Sequence, residues 1–337
     1  MDQSIYQDVA SPDNAAFLAY EESAWSSSEL ALFQENFLPW WHCANECLLA
    51  TLHQFRRFDD DDITALYLAI WQKTLKAAHE ASNSSLEYSV SNLVSLVSAA
   101  VGAGASASLV ELSDATGIPR ETARRKLDES AAFRVIARSD DGTFRLASVS
   151  ADIVPLFENC TALAMQVLDV LRRPVEGKPA HLSLASWTNL MEAYLSVILA
   201  WWAMRRSTTR GSAVVSVQCT IEVLTILKMH RRLAASGRAS RLDLRTALSL
   251  TVECWATPYL LSQIASISRL NVEHVRRMCR SLAAQGRIRF SGAEVVHPIR
   301  PIVPFPEKLG TGLLPRSLQS AARQLSTGAE AVFGLSL

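Results

Sequence analysis

Two short stretches hold most of the side chains in this chain that could do chemistry together. TGIPRETARRKLDES at Thr116–Ser130 offers Arg120, Glu121, Thr122, Arg124 and Arg125, and ISRLNVEHVRRMCRSL at Ile267–Leu282 offers Glu273, His274, Arg276 and Arg277. At about 100° per residue on a helix, Ala123, Leu127 and Ser130 share one stripe, as do Val275, Cys279 and Leu282. The charged side chains stand opposite these stripes. A guanidinium forks onto a guanine edge or phosphate oxygens, a carboxylate accepts from the cytosine amino group, and a short polar group serves either. These residue types suit the reading of base edges and a phosphate backbone.

The surrounding sequence supplies the elements that must position them. Leu109–Thr116 reads as a short helix, Gly117 as the turn, and Pro119 sits where a second helix begins without losing a hydrogen bond. Downstream, FRVIARSDDGTFRLAS alternates apolar and polar residues about Asp141-Gly142, a hairpin signal. GRIRFSGAEVVHP repeats it more briefly about Ser291-Gly292. The hairpins add Arg134, Arg138 and Arg145 in the first case and Arg287 and Arg289 in the second.

The two passages stand at an offset of 152, which pairs Arg124-Arg125 with Arg276-Arg277, Glu121 with Glu273, Leu109 with Leu261, Leu112 with Ile264, Ile118 with Leu270, Ala123 with Val275 and Ile136 with Ile288. Further upstream, LLATLHQFRR (Leu48–Arg57) resembles VILAWWAMRR (Val197–Arg206), each followed by a second apolar helical stretch, Ile63–Leu75 or Val214–Leu227. Such self-similarity predicts a mainly α chain built by internal duplication of a helical unit, each copy ending in helix, turn, helix and a small β-hairpin wing. The units run 1–150 and 151–300, with the basic modules at about 87–148 and 239–298. Residues 301–337 form a tail that opens on prolines and closes in a weak helical segment around Leu318–Val332.

This order of elements resembles the winged helix-turn-helix domains of bacterial transcription regulators, including the MarR-like and IclR-like families. The resemblance covers about 40 residues in each unit. It implies a second helix laid in the major groove of double-stranded DNA and a wing on the flanking backbone. Each half departs from the family in a different place. The first has Ser130 and Arg134 where a large apolar residue and a glycine are usual; the second keeps Leu282 and Gly286 but has Arg269 in place of Gly117. The expectation is a DNA-binding regulator acting as a built-in pseudo-dimer. A plasmid-type replication initiator with tandem winged helices and a winged-helix protein-interaction module are the alternatives.

Other chemistries find less support. Lys plus Arg equals Asp plus Glu at 33 each, so attraction to a polyanion must come from local clustering. No G-x-S-x-G or H-E-x-x-H motif is present, so no catalytic activity is expected. His42, Cys43 and Cys47 lack a fourth ligand, so neither a metal nor a cofactor is expected. The acids of FDDDDI (Phe58–Ile63) belong at a helix N-terminus, and GAGASAS (Gly102–Ser108) reads as a connector. Ala193–Met204 is apolar over 12 residues where a membrane span needs roughly 20, so it reads as a buried helix. Ile153–Leu171 has one apolar face and reads as a core helix joining the units, or as a seam for a homodimer. The N-terminus has no basic, apolar leader, which gives a cytoplasmic expectation. A small-molecule effector between the Trp-rich helices remains an open partner.

Overall fold

Asp60 separates the duties of the acidic run. Its side chain accepts the N–H groups of Asp62 at 2.9 Å and Ile63 at 3.3 Å, capping the helix over Asp61–Ala81. Asp61 and Asp62 are buried rather than solvated. Ser216 donates to Asp61 at 2.7 Å and Arg206 donates to Asp62 at 3.1 Å, so two residues from beyond position 200 satisfy the start of this helix. Burial raises the pKa of the Asp62 carboxyl, against the pull of Arg206.

The computed structural model describes residues 28, 32, 37–55, 60–82, 86–131, 134–149, 153–170, 183–207, 214–235, 258–286, 288–291, 295–298 and 316–333. They are mainly helical. The helices are α1 (Phe37–Phe55), α2 (Asp61–Ala81), α3 (Val90–Gly102), α4 (Leu109–Thr116), α5 (Arg120–Ala131), α6 (Ile153–Val170), α7 (Leu184–Ser207), α8 (Val214–Ala235), α9 (Leu261–Ser268), α10 (Val272–Ala284) and α11 (Arg316–Phe333). The strands are β1 (Ile136–Arg138), β2 (Phe144–Leu146), β3 (Tyr259–Leu260), β4 (Ile288–Ser291) and β5 (Val295–Pro298), forming one sheet of order β1-β2 and another of order β3-β5-β4.

Elements from before and after residue 150 are interleaved. Helix α1 packs on α8, and α2 packs on α7. Helix α7 is buried nearly all round, from Leu184 through Trp187, Tyr194, Leu195 and Trp201 to Arg205, as expected of a helix without a polar face. No helix among the described residues is long and apolar enough to cross a membrane. Helix α8 serves two cores. Val215, Cys219, Val223 and Ile226 join the large central cluster, while Val214, Val217 and Ile221 face a smaller one containing Tyr259, Ile264, Val275, Cys279 and Leu282.

Where α1, α7 and α8 meet, a polar network crosses the apolar interior. Arg205 donates to Glu222 through both terminal nitrogens and to Asn45 Oδ1 at 2.7 Å. Trp41 Nε1 donates to Glu222 at 3.1 Å, Trp201 Nε1 donates to Asn45 Oδ1 at 3.2 Å, and the Arg205 guanidinium lies 4.8 Å from the Trp201 ring centroid. Every charge and most of its hydrogen-bonding capacity is met inside this group, as burial requires.

The segment after the prolines contributes to the core. Leu318, Ala322, Leu325, Ala329 and Val332 of α11 are buried in the central cluster, and α11 packs on α6 and α7. Gly328 permits the close approach, since a Cβ there would stand 3.3 Å from Leu190 Cα. On α6, Leu156, Cys160, Leu163 and Val167 are buried. Trp25, Trp255 and residues 299–315 lie outside the described residues. The other six tryptophans are buried.

Candidate nucleic-acid interface

Ser108 opens the first module. Its hydroxyl accepts the Glu111 N–H at 3.2 Å, and Glu111 accepts the Ser108 N–H at 2.8 Å, a reciprocal cap that starts α4. Lys73 on α2 meets Glu111 at 2.7 Å. With that ammonium and the Ser108 N–H beside it, the Glu111 carboxyl is held down at about 2. Thr116 donates back to Leu112 O at 2.7 Å, Gly117 turns the chain at φ 66°, and the Pro119 carbonyl accepts the Ala123 N–H at 2.8 Å. Pro119 is therefore the residue just before the first helical position. Helix α5 then buries Ala123, Leu127 and Ser130, the last satisfied by donating to Leu127 O at 2.8 Å.

The second module repeats this geometry residue by residue at the offset of 152. Ser268 donates to Ile264 O at 2.7 Å, Arg269 makes the turn at φ 50°, and Asn271 caps α10 by accepting the Glu273 N–H at 2.8 Å. Val275, Cys279 and Leu282 are buried. The hairpins keep the same register: Ile136 pairs with Leu146 as Ile288 pairs with Pro298, and Arg138 pairs with Phe144 as Phe290 pairs with Val296. Each hairpin also gains an antiparallel partner that the alternation pattern did not signal, a single bridging residue in the first and a short strand in the second. Ala107, within the Gly-rich connector, bridges Phe144, and Tyr259 at the equivalent position pairs with Val296.

Each module is seated against a helix from the other part of the chain. His53 on α1 contacts the Ser268 carbonyl at 2.8 Å, and a Cβ at Gly117 would lie 3.6 Å from Ala203 Cβ on α7.

The sequence-selected residues fall into three groups. Arg120, Glu121, Arg124 and Arg125 on α5 and Glu273 and Arg277 on α10 are exposed; so are Arg138 and Arg289 on the hairpins. Thr122, His274, Arg276 and Arg145 are half-buried. The Arg145 Nε and His274 Nε2 atoms are enclosed, with no hydrogen-bond partner among the described residues. Arg287 lies outside the described residues, as does the tip of the second hairpin at 292–294.

Electrostatically the two faces differ. On α5, Arg124 is paired with Glu121 at 2.5 Å and Asp128 at 3.2 Å, Arg125 with Glu129 at 2.8 Å, and Arg138 from the hairpin with Asp128 at 3.8 Å. The Arg124 guanidinium holds the Glu121 carboxyl below the usual range. On α10 the positions equivalent to Asp128 and Glu129 are Arg280 and Ser281. Helix α5 thus sets four cations against three anions, while α10 sets three arginines against Glu273 alone, which pairs with Arg276. Arg120 is replaced by the exposed Val272. Asp128 and Glu129 were legible as acids one turn beyond the arginines, the spacing that closes a helical ion pair.

The turns differ in a complementary way. The backbone is left-handed at four equivalent positions: φ is 66° at Gly117 and 50° at Arg269, and 56° at Arg134 and 68° at Gly286. At this equivalent pair of turns each module therefore has one glycine and one arginine, in opposite order. A residue with a Cβ in this region lies roughly 1–2 kcal/mol above its right-handed conformation, whereas glycine has no such penalty.

Cys43 and Cys47 on α1 bring their sulfurs to 3.9 Å, but no group of three His, Cys, Asp or Glu side chains is poised for a metal among the described residues. No protein-family model, curated protein or solved structure matches the chain.

Proposed function

We propose that the chain is a sequence-specific double-stranded DNA-binding transcription regulator carrying two winged helix-turn-helix modules from an internal duplication, which together act as a pseudo-dimer. The observation that carries this reading is the recurrence, at one constant offset, of helix, left-handed turn, helix and antiparallel hairpin, each with Glu-x-x-Arg-Arg on its second helix and the Glu and second Arg exposed. One module with a basic helix is an ordinary solvated surface; two with the same register and the same outward residues supply a repeated reading head. Duplication would provide in one chain the two-fold arrangement that other regulators reach by dimerising.

The test is a gel shift against genomic fragments across a salt series. Binding should fall steeply with salt, because arginines that neutralise phosphates release counterions. Affinity that stays flat, or no binding to any fragment, would end the reading. Arg277→Glu should weaken binding at least tenfold, since loss of a good base contact alone costs about 1–3 kcal/mol and the reversal adds repulsion. Arg125→Glu should weaken it less, because Glu129 already offsets that arginine. Mapping the bound sites separates a regulator, found at promoters, from a replication initiator, found at an iterated origin. The paired charges on α5 favour, for the first module alone, a second reading as a protein-interaction surface. A footprint that Arg125→Glu leaves intact would support it.

A further inference from the structure

We propose that Arg134 and Arg269 are phosphodiester-contacting residues that grip DNA at opposite ends of the two reading helices, an assignment that rests on the DNA reading above. Both hold a left-handed backbone where the equivalent residue of the other module is glycine. Both are exposed, and neither forms an ion pair or side-chain hydrogen bond among the described residues, so no such bond there offsets the strain. Strain of this kind persists where the surrounding structure imposes it and concentrates at functional positions. Asparagine would tolerate the conformation better than arginine. What arginine adds at these turns is a cation with five donors on a long stem, the group best matched to phosphate oxygens.

Their places in the modules give the assignment its geometry. Arg269 ends α9, two residues before the Asn271 cap of α10. Arg134 follows α5 and precedes β1. In a helix seated in the major groove, the sugar–phosphate strands pass its two ends, where contacts position the protein without reading bases. The second module would thus hold the backbone at the start of its reading helix and the first module at the finish of its own. The phosphate contacts on the two half-sites would then be unlike even where the bases agree.

Glycine substitution separates this role from a structural one, because the two properties should move in opposite directions. Arg269→Gly and Arg134→Gly are each expected to raise the urea midpoint of unfolding. Each should also lower affinity for a mixed-sequence duplex by roughly five- to tenfold at about 0.1 M salt and reduce the slope of log affinity against log salt by about 1. Arg269→Lys and Arg134→Lys keep the charge and the strain, and should retain most of the affinity and leave the midpoint near that of the unmodified chain. Phosphate ethylation interference should show one protected phosphate lost per glycine variant, in different half-sites. A rise in the urea midpoint with unchanged affinity and slope would overturn the assignment, since the arginines would then be strain alone. A fall in the midpoint would overturn its premise. Failure of the unmodified chain to bind any duplex would remove the DNA reading and this assignment together, a result that the unmodified control tells apart from the other two.

Discussion

Glu222→Leu should lower the stability of the folded protein by about 3–5 kcal/mol, the usual cost of leaving one member of a buried ion pair without the other. Arg205 is fully buried, and its two terminal nitrogens both reach Glu222. With the carboxylate gone, Asn45 Oδ1 and the face of Trp201 still meet the guanidinium, and neither carries a charge. Trp41 Nε1 loses its acceptor as well. The pair Arg205→Met with Glu222→Leu should be no less stable than Glu222→Leu alone, because the second change removes the stranded cation. Urea unfolding of the two single variants and the double would measure this. Additive losses would show that the pair does not act as a unit.

A chain ending at residue 315 should fail to hold a fixed tertiary structure. Removing α11 uncovers the face of α7 on which Leu318, Leu325 and Val332 are buried. Full burial of each such side chain is worth about 1.5–3 kcal/mol, and the sum of three approaches the whole stability of about 5–15 kcal/mol typical of a folded domain. The expected product keeps far-ultraviolet helical signal, loses near-ultraviolet tryptophan signal and binds a hydrophobic dye. Removing only residues 334–337 should leave all three unchanged. A shortened chain with native tryptophan signal would mean that α11 is dispensable to the core.

Local periodicity made the helices and both outward basic faces readable. The stripes Ala123/Leu127/Ser130 and Val275/Cys279/Leu282 are buried as their spacing requires, and Asp60 caps α2 as an acid before an apolar run should. The interleaving was not readable, because no local pattern states that α1 will pack on α8 or that Ser216 will satisfy Asp61. The extra partner of each hairpin escaped for a related reason: Ala107 is a single bridging residue in a Gly-rich connector, and β3 is two residues long, so neither has an alternation to detect. The segment around Leu318–Val332, read as weakly helical, is rich in small residues. Those residues let α11 lie close to α7, as Gly328 does against Leu190. At the candidate interface the arginines were visible, while their neutralisation on α5 needed the acids one turn later to be weighed with them.

The exchange of helices across residue 150 bears on how the chain is made. When its first 150 residues have left the ribosome, α1 has no α8 to cover it and α2 has no α7, so two long apolar faces wait in solution for partners not yet synthesised. At about 5–20 residues per second the wait lasts roughly 4–17 s, until α8 is complete. A nascent chain of this design is a natural client for a chaperone at the exit tunnel. It also gives a reason why the two modules would be inherited and lost together: neither helical half can be cut away without exposing the other.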